Sequence, residues 1–291
     1  MNTDARAAGG WADILLTSLA PVIWGTTYIV TTEWLPPGRP LSAALLRVLP
    51  AGILLLAWAW HRPDRQAAWR LLILAALNIA LFQALLFVAA YRLPGGLAAV
   101  LGAIQPLVVM ALAWAFDRRR PRVLAVIAAI AGVAGMAMLL MAPGMRWDVV
   151  GVAAALAGAF GMAIGTWLTR RWDLPMPVAA LTGWQLLLGG VLLLPATLAV
   201  EGLPGRLTPS QLAGHAYLCL FGAVVSYGLW FRGLARLSPV AVTSLGLLSP
   251  VTAVIIGWTW LGESMRGWSM AGLLVVLASV LAVQRAMQGQ R

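Results

Sequence analysis

The sequence predicts an all-α membrane protein: ten transmembrane helices arranged as two inverted five-helix repeats. Three observations carry this. Of the 291 residues, 62% are hydrophobic and 10% charged, where soluble domains are about 25% charged. Ten apolar runs approach the length of about 20 residues that a bilayer span needs. Finally, "LGAIQPLVVMALAW" (101–114) and "LGLLSPVTAVIIGW" (245–258) share Leu-Gly, a mid-run proline and a closing tryptophan at an offset of 144 residues.

A soluble chain with a mean hydropathy of +0.89 could not cover its own surface. The runs lie near 13–34, 40–60, 69–91, 94–116 and 121–141, then 148–170, 177–200, 208–235, 238–260 and 267–286. They are continuous, not alternating, so helices are expected and a barrel is not. The joints are too short to hold a soluble domain. The opening "MNTDARAAGGWAD" has no cleavable signal, so the first run is expected to remain as an anchor.

All 20 basic residues are arginine. They cluster between the runs and form no continuous basic face, which argues against a nucleic-acid partner. With both termini in the cytoplasm, 14 arginines fall inside and five (Arg39, Arg92, Arg146, Arg206, Arg266) outside, leaving Arg47 within span 2. That bias fits the positive-inside rule and an inner (plasma) membrane location. Trp34, Trp60, Trp69, Trp147, Trp172, Trp260 and Trp268 fall near span ends, as an interfacial belt would. Cys219 stands alone and the only histidines are His61 and His215. No metal site or cofactor is expected, and nothing forces a dimer.

The repeat reaches further back. "LLFVAAYRLPGGLAAVLGAIQP" aligns without gaps on "LWFRGLARLSPVAVTSLGLLSP", pairing Arg92 with Arg236, Gly102 with Gly246 and Pro106 with Pro250. Pro40/Pro177 and Gly52/Gly189 match at an offset of 137. Residues 1–143 and 144–291 are therefore expected to be two copies of five spans. Five is odd, so the copies enter the membrane from opposite sides. Inverted repeats are a common plan of secondary transporters, with the substrate site near the midplane.

"APVIWGTTYIV", "ALLRVLPAGILLL", "ALAGAFGMAIGTWLTRRW" and "LSPVTAVIIGWTWLGE", in this order and spacing, resemble the drug/metabolite transporter superfamily in its EamA-type branch. The nearest type is the YddG-like exporters of aromatic and other amino acids. The resemblance covers nearly the whole chain and implies export of small metabolites from the cytoplasm. It departs where Gly161 replaces the tryptophan expected opposite Trp24. The "LGE" at Leu261–Glu263 also has only Asp117 as its first-half counterpart.

Polar groups deep in a membrane are costly unless buried in protein or facing water, so they mark the pathway. Thr27 and Tyr28 in span 1, Asn78 and Gln83 in span 3, Gln105 in span 4, Tyr227 in span 8 and Ser249 in span 9 qualify. The alternative is interhelical glue. The repeat matches Gln83 with Tyr227 and Gln105 with Ser249. Trp24, Trp184 and Trp230 lie away from the predicted ends and would pack, or wall a site for an aromatic or zwitterionic solute. Arg47 sits about 10 Å deep. It either snorkels, pairs with Glu33, or clamps a substrate carboxylate. Pro106 and Pro250 read as hinges beside the cavity, against static kinks.

No Asp or Glu lies near the middle of a span, and no phosphate-binding GxxxxGK[ST] loop occurs. Facilitated export of amino acids by alternating access is the expected function. Proton-coupled antiport and broad drug/metabolite export are the alternatives of the same class. A channel or scaffold is the alternative of another class. An enzyme would want an acid, histidine or metal set at one depth, and none is seen.

Overall fold

The computed structural model describes residues 10–93, 95–141, 147–202, 205–260 and 267–288, whose regular structure is entirely helical. Among these residues, ten helices of 18 to 28 residues are long and apolar enough to cross a membrane. Spans 1 (Trp11–Trp34), 2 (Pro40–Trp58), 5 (Val123–Leu140), 6 (Val149–Trp172), 7 (Val178–Val200) and 10 (Gly267–Gln288) are unbroken α-helices. In lipid, every backbone group must be satisfied within the protein, which is why apolar runs this long wind into helices.

The other four spans are modified in matched pairs. Span 3 carries a π-helical turn, Ala76–Leu81, between Arg65–Ala75 and Phe82–Arg92. Span 8 carries its copy 144 residues later, Leu220–Val225, between Pro209–Cys219 and Ser226–Arg236. Their starts are matched too. Asp64 accepts from the Ala67 N–H at 2.6 Å, and Thr208 from the Gln211 N–H at 3.3 Å. Each satisfies one of the donors that a helix start leaves open.

Spans 4 and 9 are each two helices, Gly95–Gly102 with Gln105–Asp117, and Pro239–Leu245 with Leu248–Trp260. This corrects the expectation that Pro106 and Pro250 interrupt running helices. The chain breaks just before them, in tight turns such as Ala103 N–H to Val100 O and Gly246 N–H to Thr243 O, both 3.1 Å. Each proline then lies in the first turn of the next helix. First-turn N–H groups lack an intrahelical partner in any case, so the penalty of about 3 kcal/mol for an interior proline does not arise.

The two halves interlock. Span 3 packs on spans 6 and 7, and span 4 on span 6; by the same relation span 8 packs on spans 1 and 2, and span 9 on span 1. Spans 2 and 7 pair about the symmetry axis, as do spans 5 and 10. Both pairs approach closely through glycine. A Cβ on Gly190 would lie 2.9 Å from Leu49 Cα, and one on Gly272 would lie 2.6 Å from Gly135 O. Such contact is how helices gain packing energy where lipid removes the hydrophobic drive.

Polar links tie the span ends. Arg232 meets Asp13 at 2.6 Å and Arg236 meets it at 3.6 Å, joining spans 8 and 1. Arg92 meets Asp148 at 3.6 Å, joining spans 3 and 6. Arg92 and Arg236 are repeat partners, so the inversion sets this link once at each face. The Glu201 carboxylate, past span 7, caps span 2 by accepting from Leu41 N–H at 2.6 Å and Ser42 N–H at 2.8 Å.

Candidate substrate site

Spans 1, 2 and 8 converge on one backbone carbonyl, that of Gly222 in the second π-helical turn. Trp24 donates its indole N–H to it at 3.0 Å. Arg47 donates to the same oxygen from Nη2 at 2.7 Å and Nε at 3.3 Å. The guanidinium thus turns to span 8 and holds five N–H groups in a fixed fork there. A side chain on Gly222 would crowd it, since an added Cβ would lie 3.3 Å from Arg47 Nε.

Against this clamp lies an aromatic cluster. The Trp24 ring centroid is 5.1 Å from both Tyr227 and Trp230, in tilted geometry. Tyr227 and Trp230 are each only 2% exposed. Gln83, also buried, reaches Tyr227 from span 3, donating from Nε2 to the hydroxyl at 3.4 Å. Trp230 Nε1 and Thr27 Oγ1 are buried with no hydrogen-bond partner among the described residues. A buried donor left open is costly unless a partner is supplied.

Five of the residues singled out from sequence therefore meet here: Trp24, Arg47, Gln83, Tyr227 and Trp230. Ser249 lies close by, its carbonyl 2.6 Å from where a Cβ on Gly25 would sit. Gln105 is partly buried at the break in span 4. The side chain of Tyr28 lies outside the described residues. Pro106 is buried and Pro250 partly buried.

Asn78 goes elsewhere. It is fully buried between spans 3, 6 and 7, donating from Nδ2 to Gln185 Oε1 at 2.8 Å and Thr169 Oγ1 at 3.2 Å. It occupies the first π-helical turn as Gly222 occupies the second. Each turn thus pins the spans of the other half. Sequence reasoning missed Gln185 and Thr169; a lone amide in "TGWQLLLGG" was the available signal for Gln185. Trp184 is no wall of the site, because it donates to His61 O at 2.9 Å and packs on Trp60 beside the end of span 2. Opposite Trp24, Gly161 makes room for Leu81, whose Cδ2 would lie 3.2 Å from an added Cβ.

A cleft of about 580 Å³ opens toward the arginine-rich face, between spans 4, 6, 9 and 10.

Ten spans in two inverted, interlocked halves, with polar groups converging between them, define a secondary-transporter architecture. The chain belongs to the EamA-like transporter family, whose model matches residues 11–141 and 149–284. It is a multi-pass membrane transporter and not an enzyme. It is 40% identical over 267 residues to Protein PecM of Dickeya dadantii (strain 3937), spanning 91% of this chain and 90% of that one. It is 30% identical over 267 residues to the uncharacterized inner membrane transporter YedA of Escherichia coli (strain K12), spanning 90% and 87%. A crystal structure superposes with a TM-score of 0.81 over 97% of this chain and 99% of that one, at 16% identity, and so shares the fold.

Proposed function

We propose that this transporter exports neutral amino acids, aromatic ones included, in the manner of the YddG-like exporters it resembles. The observation that carries the reading is the meeting of Arg47 with a buried aromatic cluster whose Trp230 indole N–H has no partner among the described residues. Arg47 and the indole N–H would take the carboxylate. Ring faces attract an ammonium group, and Trp24, Tyr227 and Trp230 accept an apolar side chain. Thr27, Tyr28, Gln83, Gln105 and Ser249 line the path on this reading, and Asn78 steadies it from the neighbouring knot.

Residues 1–143 and 144–291 act as the two repeats, but the moving bodies are mixed. One joins spans 1, 2, 8 and 9; the other joins spans 3, 4, 6 and 7. They rock about the breaks at Pro106 and Pro250. The arginine bias supports a cytoplasmic location for both termini, and the inner-membrane name of YedA supports the same membrane here. No mid-span acid is present to carry a coupling ion, so movement runs down the solute's own gradient.

Counterflow of labelled L-phenylalanine into sealed vesicles, without a pH or sodium gradient, tests this. Saturable uptake that excludes the D-enantiomer is expected. A strict need for either gradient overturns the facilitator. Flux without saturation points to a channel, and uptake of other metabolites but no amino acid overturns the substrate class.

A further inference from the structure

The cleft at the arginine-rich face has a built floor. Gln284 of span 10 lines it and is 1% exposed. Its Nε2 donates to Ala241 O and to Ser244 Oγ, both at 2.9 Å. These two bonds fix the amide's orientation. Oε1 is then a buried acceptor without a partner among the described residues. It calls for a hydrogen-bond donor.

The rim has the opposite need. Arg119, Arg120, Arg170, Arg171 and Arg236 line the cleft with Asp117 and Asp173. Arg171 is engaged by Asp117, which also accepts from Trp167 Nε1 at 2.7 Å. Arg236 shares Asp13, and Arg170 donates to Ala235 O at 3.1 Å. Arg119 and Arg120 make no ion pair among the described residues. Val109, Met110 and Val240 give the cleft an apolar wall. Positive-inside topology accounts for arginines at a span end. It does not account for an open acceptor buried beneath them.

The cleft also adjoins the aromatic site. Ala241 lines it, and Gly246, five residues on, faces Trp230; a Cβ there would lie 3.7 Å from the ring. At 1.5 Å per residue the separation along span 9 is about 7 Å.

We propose that this cleft is a loading site for the transported amino acid, an inference that rests on the substrate reading above. The carboxylate docks at Arg119 and Arg120, the ammonium donates to Gln284 Oε1, and the side chain lies on Val109, Met110 and Val240. The solute then moves along span 9 to Trp230.

Occupancy is read by thiol protection on the full-length protein. Ala113→Cys, in a Cys219→Ala background, places one thiol in the cleft lining for a methanethiosulfonate reagent. L-Phenylalanine should slow labelling, and should still do so when Trp230→Ala disables the central site. Arg119→Gln with Arg120→Gln should raise the half-protecting concentration about tenfold, as loss of charge-assisted hydrogen bonds does. Gln284→Met should weaken protection by L-phenylalanine and leave that by 3-phenylpropionate, which lacks the ammonium, unchanged.

Protection that vanishes with Trp230→Ala, or that survives the double arginine change intact, overturns the proposal. So does protection by phosphatidylglycerol without amino acid, measured against pure phosphatidylcholine vesicles, because the cleft would then hold a lipid headgroup. If the unaltered chain neither transports nor binds L-phenylalanine, the substrate reading fails and this inference falls with it. If it transports but is not protected, the loading site alone fails.

Discussion

Gln83 donates its side-chain N–H to the Tyr227 hydroxyl at 3.4 Å, and the two residues are each other's copies in the two repeats, 144 positions apart. Only positions beside the symmetry axis can touch their own repeat partner. The bond therefore marks where the interlocked halves meet, next to the Trp24–Trp230 rings.

That bond is long and neutral, so it contributes about 0.5–1 kcal/mol. Tyr227→Phe and Gln83→Leu should each lower kcat/KM for L-phenylalanine by a few-fold without changing folded yield. In a double-mutant cycle the two losses should overlap by about 1 kcal/mol. Strictly additive losses in vesicle transport would show that the pair does not couple the bodies.

Arg47 separates a clamp from a strut. Arg47→Gln should cut kcat/KM for amino acids about 10- to 100-fold, the range for a lost charge-assisted bond. Arg47→Lys should recover only part, since a point charge cannot copy the fork. Competition by phenylethylamine, which has no carboxylate, should be untouched by either change. Equal loss for acid and amine would make Arg47 a strut that holds span 8 through Gly222.

The Asn78 knot is expected to report on stability. Asn78→Leu strands the Gln185 and Thr169 partners in a dry interface, at a cost of about 1–3 kcal/mol. Gly165→Ala should be worse, because the new Cβ would run into the Asn78 side chain, whereas Gly228→Ala enters open space and should be silent. Thermal unfolding of the purified protein in detergent ranks the three. A silent Gly165→Ala would contradict the packing.

Pro106→Ala and Pro250→Ala test the breaks. Both prolines start a helix, so alanine should leave folded yield nearly unchanged. It lets each span approach a continuous helix, and transport should slow more than yield falls. Normal counterflow in both variants would make the breaks matters of shape and not of motion.

Much of this was legible in the chain. Hydropathy is a local sum, so ten spans could be counted from it, and their observed limits lie within a few residues of the expected ones. The odd number of spans per repeat determined the inversion, because geometry leaves no other way to join two copies of five. Single polar residues in apolar runs likewise announced Arg47, Asn78 and Gln83. What each one touches depends on the rotation of every helix and on which spans adjoin, and these are set by contacts between distant residues. Only the tertiary structure could send Asn78 to Gln185, bring Trp24 and Arg47 to one carbonyl in a π-helical turn, gather the Trp24, Tyr227 and Trp230 rings, and open the cleft above Gln284. It also relocated the two prolines, since a repeat reveals that a break recurs while only the backbone shows on which side of the proline it falls.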